Sequence, residues 1–380
     1  SDLKTAYIPM QSDGPKGMDP VRSSTQYDNI ACSQLYECLV QYKYLARPLQ
    51  LEPLLLEEMP TVGEDGVTWH FKLKTGVRFH DNPCFPDGKG RELVSSDVFY
   101  SWKRMADLDN TPQGWWTFAN TIVGFDEFRD TQNDADKFDY DATVPGFREI
   151  SDTEFEVVLQ KPVHRFMWIL AMPFTSIVPR EAVEMYDSEF PHNPVGTGPF
   201  MLEEWKPSQS LKLARNPNYR EAYYPSEATP EDIQRGLTKP AGTRLPILDR
   251  VEYRMFVQDQ PRWLNFMAKR LDMVQVPAEY FTDAYVKRTQ RLRSRYRDEG
   301  ISSQPTVLLD FIFIGFNMLD PVVGGYTPEK RALRHALSLA MDFDERNETF
   351  YSGINVVYDG MIPPGLDGHP EGGKSPVSWR

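Results

Sequence analysis

The chain has 380 residues, enough for two or three structural units. Its 42 basic against 55 acidic side chains leave a net charge of −13, which excludes nucleic acid as the natural partner, because phosphate backbones are bound by clustered cations. No uncharged apolar run reaches the eighteen or so residues that a membrane-spanning helix needs.

The chain starts at Ser1 without an initiator Met or an apolar leader, as after removal of a secretory signal. Cys32, Cys38 and Cys84 are odd in number and widely spaced, fitting neither a disulfide framework nor a zinc site. Cys32 and Cys38 read as two faces of one helix and as buried thiols, with Cys84 as the alternative disulfide partner. Val67 to Lys74 alternates Val, Trp, Phe and Leu against Thr, His, Lys and Lys, the pattern of a half-buried strand ended by Gly76. Ser95 or Ser96 then caps a helix with Asp97 in its first turn and Val98, Trp102 and Met105 on one face.

Trp115-Trp116 follows in a loop; one ring anchors that loop, or one is offered to a ligand as a rigid surface. Thr131 to Thr143 is acidic. Its Asp134, Asp136, Asp139 and Asp141 lack the glycine and the closing glutamate of a calcium loop, so a solvated excursion is expected. A second strand carries Thr153, Phe155, Val157 and Leu159. Asn193-Pro194-Val195-Gly196-Thr197-Gly198-Pro199-Phe200 is the most constrained segment of the chain. Its prolines fix φ and its glycines admit backbone that other residues cannot adopt.

Glu221 to Pro246, with four prolines, reads as another surface excursion. Val251, Tyr253, Met255 and Val257 alternate as a strand, and Leu264, Met267 and Leu271 follow at helical spacing. A short strand at Met273–Val276, a helix, a strand at Val307–Phe316 and a final helix complete an α/β alternation. That final helix starts at Thr327-Pro328-Glu329 and buries Leu333, Leu337 and Ala340. Lys287, Arg288, Arg291, Arg293, Arg295 and Arg297 read as the solvated face of a helix whose other side is Tyr285, Leu292 and Tyr296. The six histidines show no ligand spacing, and no nucleophile elbow, phosphate loop or dinucleotide fingerprint is present. The expectation is therefore no enzyme, no cofactor and no metal.

Taken in order, several segments resemble the family 5 extracellular solute-binding proteins, the receptors of peptide-type ABC importers. They are Met18-Asp19-Pro20, Tyr36-Glu37-Cys38-Leu39, Leu51-Glu52-Pro53-Leu54-Leu55 and Gly76-Val77-Arg78-Phe79-His80-Asp81. Ser101-Trp102-Lys103-Arg104, Val195 to Phe200, Arg215 to Tyr219, Phe316-Asn317, Arg331 to Leu337 and Ala340-Met341-Asp342 continue the likeness. The resemblance implies a mixed α/β (α+β) fold of the type II periplasmic binding protein kind. Lobe I would comprise residues 1–36 and 165–255, an inserted extension 37–164, and lobe II 256–380. Family members run longer than this chain, so the likeness also implies a C-terminally truncated, incomplete lobe II.

By position, the resemblance makes Ser24, Thr25, Gln26, Trp115, Gln275, Asp310, Phe313 and Asn317 the ligand-binding candidates. Asp310 would meet a ligand cation; Phe313 would pack a ligand side chain or belong to the core. The implied function is capture of oligopeptides in an interlobe cleft by hinge closure and delivery to an ABC permease with its ATPase. The implied protein is a monomer in the periplasm or at the outer face of the envelope, free or lipid-anchored. Nickel complexes, haem or oligosaccharides are the alternative ligands within the family, and a hydrolase is the alternative of another class.

Overall fold

The computed structural model describes residues 3–46, 48–304, 312–358, 360–364, 366 and 368–370, and the chain divides into two units, Ser1–Val274 and Gln275–Arg380. In the first unit the two alternating segments become neighbours in one antiparallel sheet. Strands β1 (Thr5–Gln11), β2 (Val40–Tyr42), β3 (Leu51–Pro53), β4 (Thr61–Val62), β5 (Thr68–Lys72), β6 (Phe147–Glu149) and β7 (Glu154–Val158) come first in the chain. The sheet order is β4-β5-β7-β6, with Phe71 opposite Phe155 in register and their rings stacked 4.8 Å apart. The Ser95–Lys103 helix buries Val98 and Trp102, and Phe99 stacks on Phe147 at 4.7 Å.

A second sheet collects β8 (Phe200–Lys206), β9 (Ser210–Arg215) and β10 (Arg250–Phe256) with the distant β1 in the order β1-β10-β9-β8. The β1–β10 pair is parallel, and the others are antiparallel. A β2–β3 ladder stands apart. The whole is mixed α/β, with one continuous core running under both four-stranded sheets.

The resemblance segments meet in a polar knot inside this unit. The Val195–Phe200 turn lies against the end of the Gln26–Leu35 helix. A Cβ on Gly196 would sit 2.2 Å from the Leu35 carbonyl oxygen, and one on Gly198 would sit 2.5 Å from the Leu35 carbonyl carbon. Close approach, and not a left-handed φ, is what requires glycine here. His80 clamps the same turn from the other side. The Gly196 N–H donates to His80 Nδ1 (3.2 Å), His80 Nε2 donates to Gly198 O (3.0 Å), and the His80 N–H donates to Gly196 O (2.8 Å).

Between the glycines, Thr197 Oγ1 donates to Glu37 Oε2 (2.9 Å), while Tyr219 Oη donates to Oε1 (2.8 Å) and Arg220 Nη1 to Oε2 (2.6 Å). Asn216 Nδ2 donates to Gly198 O, and Tyr36 Oη donates to Met18 O. Asp19 and Arg104 form a buried bidentate pair at 3.0 and 2.8 Å. Arg91 bridges Asp97 and Glu181 in the same way.

Several expectations are corrected. Val94, not a serine, occupies the cap position of the Ser95–Lys103 helix, where its N–H donates to Asp97 at 2.9 Å. The Gln26–Leu35 helix ends before Cys38, so Cys32 and Cys38 do not share it. All three cysteines are free. Burial raises the Cys32 thiol to about 12, and it also raises Cys38, whose Sγ lies 3.3 Å from Met172 O. The acidic stretch is no simple excursion: Thr131–Asn133 close the Phe125–Asn133 helix, and Phe138 and Tyr140 fold back onto the core. Glu221–Pro246 is irregular but holds a helical turn, Pro230–Gln234, and a cis Leu245–Pro246 bond.

Val257 lies one residue past the end of β10 and is exposed. The Asp259–Met267 helix buries Arg262 and Trp263, a stripe displaced by one residue from the expected one, so Leu264 is exposed. Met273–Val276 forms no ladder and Met273 is exposed.

In the second unit, strands β11 (Tyr285–Val286) and β12 (Arg291–Leu292) make a small hairpin before a helix at Ser294–Asp298. The basic run therefore lies on a hairpin and a short helix, and not on one helix. Gln290, at φ 50°, reverses the chain and donates its N–H to Val286 O. The strand expected at Val307–Phe316 lies partly outside the described residues, and 312–316 pair with no strand. The Pro328–Leu339 helix begins where expected, with Thr327 at its cap. Leu333, Leu337 and Ala340 are nonetheless exposed, since no described residue covers that stripe. Among the described residues of this unit the helices alternate with no strand beyond the β11–β12 hairpin.

Two predictions follow from the knot. Gly196→Ala or Gly198→Ala forces the turn off the Leu35 carbonyl, and each lowers the urea-unfolding free energy by at least about 2 kcal/mol. The second concerns pH. Burial depresses His80 from 6.5 to about 4, so between these values the unfolded chain binds the proton and the folded chain does not. Stability from this group is full above pH 6.5 and falls as pH drops towards 4. Between pH 7 and 5, unfolding free energies of His80→Gln lose roughly 2 kcal/mol less than those of the parent.

Candidate functional site

The N-terminus of the Gln26–Leu35 helix exposes polar side chains that make no hydrogen bond to any described residue. The Asp19-Pro20 turn leads into it, fixed below by the Asp19–Arg104 pair and by Asp19 accepting from the Val21 N–H. Ser24 and Gln26 are exposed there. Thr25 is half-buried and its hydroxyl is committed: it accepts from the Asp28 N–H (3.1 Å), while Asp28 accepts from the N–H groups of Thr25 (2.9 Å) and Ser24 (3.2 Å). Lys16 N–H completes the same carboxylate at 2.8 Å. This reciprocal cap stiffens the helix entry, so Thr25 sets the position of its neighbours.

The tryptophan loop is tied to this turn. The Gln113 N–H donates to Val21 O (3.0 Å), and Arg22 reaches Asp109 O (3.4 Å). Trp115 is packed edge-on against Phe125 at 5.1 Å and lies under the Arg129 guanidinium at 4.5 Å. Gly114 is pressed against Phe174 and Met105. Trp116, by contrast, is 55% exposed. Trp115 is therefore the anchor of the pair and Trp116 the open ring, a division of roles that sequence alone left undecided between adjacent identical residues.

Gln275, Phe313 and Asn317 belong to the second unit, and all three are exposed; Phe313 is 73% exposed and so is no core residue. Asn317 Oδ1 accepts from the Leu319 N–H (3.0 Å) and shapes its own loop. Asp310 lies outside the described residues. Among the described residues no cluster of three or more His, Cys, Asp or Glu could hold a metal ion, and no helix is long and apolar enough to cross a membrane. Sequence reasoning named Trp115, and not the exposed Trp116, as the candidate, and it passed over Glu37 as a buried hub. The proximity of Tyr219-Arg220 to an asparagine-proline turn was the available signal for the hub.

Residues 50–378 match the family described as bacterial extracellular solute-binding proteins, family 5 Middle, and the chain belongs to that family. The dipeptide-binding protein of Escherichia coli is 24% identical over 364 residues, covering 93% of this chain and 57% of that protein. Heme-binding protein A of Haemophilus influenzae is 26% identical over 230 residues, 58% of this chain and 38% of that protein. Among solved structures, the periplasmic binding protein DppA of Helicobacter pylori with a bound peptide superposes with a TM-score of 0.67. It is 19% identical over 95% of this chain and 61% of that one, a likeness of fold. The chain thus spans between 38% and 61% of the length of these relatives, less than two thirds of each.

The division of labour in the tryptophan pair is testable by thermal unfolding. Trp115→Ala costs about 2 kcal/mol or more through lost aromatic packing. Trp116→Ala leaves the unfolding free energy within about 0.5 kcal/mol of the parent, as for an exposed side chain.

Proposed function

We propose that this chain is the ligand-binding part of an ABC-importer receptor that captures oligopeptides and passes them unaltered to a membrane permease and its ATPase. The carrying observation is membership of the solute-binding family, together with relatives named for dipeptide binding along nearly the whole chain. In this reading residues 1–36 and 165–255 form lobe I, 37–164 an extension and 256–380 part of lobe II. A ligand touching both lobes favours the closed state, because closure adds contacts that the open state lacks.

Peptide main chains are alike whatever the sequence, so hydrogen bonds to them give affinity while roomy, wet pockets tolerate varied side chains. Ser24 and Gln26 supply polar groups at the capped helix entry, Thr25 holds them in place, and Trp116, braced by Trp115, supplies a flat apolar face. Gln275, Asp310, Phe313 and Asn317 are the lobe II candidates, Asp310 for a ligand cation. The protein works as a monomer at the periplasmic or outer face of the envelope, and it catalyses no reaction.

Thermal shift and calorimetry on the gene product carrying this chain test the reading, with pools of two- to five-residue peptides against haemin, nickel complexes and oligosaccharides. The expected result is stabilisation by peptides alone, recovered unhydrolysed, with Ser24→Ala/Gln26→Ala weakening binding about tenfold. A response to haemin without one to peptides, a distinction raised by the haem-binding relative, overturns the peptide assignment. Cleaved peptide overturns the receptor assignment.

A further inference from the structure

The ladder that joins the two segments behind β7 ends in an open, cation-lined cleft. Ile122 pairs with Leu159, the Val123 N–H donates to Val158 O (3.0 Å), and the Gln160 N–H donates to Thr121 O (2.9 Å). Beyond that last bond the strands part. Between them is a cavity of about 540 Å³, with Asn120 on one wall and Lys161, Pro162, Val163, His164 and Arg165 on the other.

Its electrostatics oppose those of the molecule. The chain carries a net −13, yet among the described residues no carboxylate lines this cleft, and three nitrogen bases fall within five consecutive positions. Among the described residues, the side chains of Lys161, His164 and Arg165 have no ion-pair or hydrogen-bond partner. Asp126 is the carboxylate hydrogen-bonded to the wall, and it is held by neutral donors, the Asn120 N–H (2.9 Å) and Gln160 Nε2 (3.3 Å). The cations stand on the exposed turn that follows the ladder, where Pro162 fixes one φ between Lys161 and His164.

We propose that this cleft binds a small multivalent anion bearing phosphate or carboxylate groups. Arg165 offers the planar fork that takes two oxygens at once, and Lys161 adds a point charge beside it. A concave wall of one charge sign raises the local concentration of such an ion above that over a flat surface. The cleft is open to solvent, and its volume leaves ample room for an ion of the size of pyrophosphate or citrate. The cleft shares no lining residue with the Ser24–Gln26 surface, so the peptide reading can fail while this one stands, and the reverse.

The test is calorimetric titration of the gene product carrying this chain with pyrophosphate and with citrate, at low salt and at matched ionic strength in sodium chloride. Saturable binding of one anion per chain is expected. Lys161→Ala and Arg165→Ala each weaken it at least tenfold, while Arg165→Lys keeps part of the affinity. Both side chains are exposed, so unfolding midpoints near the parent's show that the variants fold. Absence of saturable binding, loss of the heat signal at matched ionic strength, or equal affinity in the Lys161→Ala/Arg165→Ala double variant overturns the proposal. So does binding seen only with vesicles of an anionic lipid.

Discussion

One close approach organises the first unit: the backbone of Gly196-Thr197-Gly198 rests on the last carbonyl of the Gln26–Leu35 helix with no room for a methyl group. Because the turn is fixed there, Thr197 can reach Glu37, and His80 can bond both glycines. Glu37 in turn gathers Tyr219 and Arg220 from a segment far along the chain. A buried carboxylate is tolerated only when its charge and lone pairs are met, and here a guanidinium and two hydroxyls meet them. The neutral His80 ring is equally specified: its Nδ1 must be bare to accept from Gly196, which a protonated imidazolium cannot do.

The same logic applies to the other paired charges of this unit. Asp19 with Arg104, and Arg91 with Asp97 and Glu181, tie parts of the chain that lie 85 and 90 positions apart. These pairs brace the turn before the Gln26–Leu35 helix and the elements packed against it. Ser24, Gln26 and Trp116, exposed on the same unit, carry the chemistry proposed for a ligand. Scaffold and surface are thus neighbours in sequence but distinct in role.

How far the sequence could be read depended on the kind of signal. Period-two alternation with a polar opposite face located β5, β7 and β10 closely, because a half-buried sheet imposes that pattern directly. The cap of the Pro328–Leu339 helix was equally legible, since threonine-proline-glutamate chemistry is local. The burial of its stripe was not, because what covers Leu333 and Leu337 is a tertiary matter and no described residue does so. The basic run defeated helical periodicity because one residue at positive φ, Gln290, turns it into a hairpin. At the site, the family resemblance made Thr25 a ligand-binding candidate but could not show that its hydroxyl is spent on Asp28. Nor could it distinguish Trp115 from Trp116, which differ only in what surrounds them.

The two buried thiols carry a consequence of their own. Cys32 lies 3.3 Å from Ser23 Oγ in the core, and Cys38 is directed at a main-chain oxygen. Neither gives up its proton readily, so a sulfur-seeking reagent finds no anion to attack while the architecture is closed. Reaction at these atoms therefore waits on the breathing of the protein. The pace at which they become alkylated is a clock for how often the region around the helix and its glycine turn comes apart.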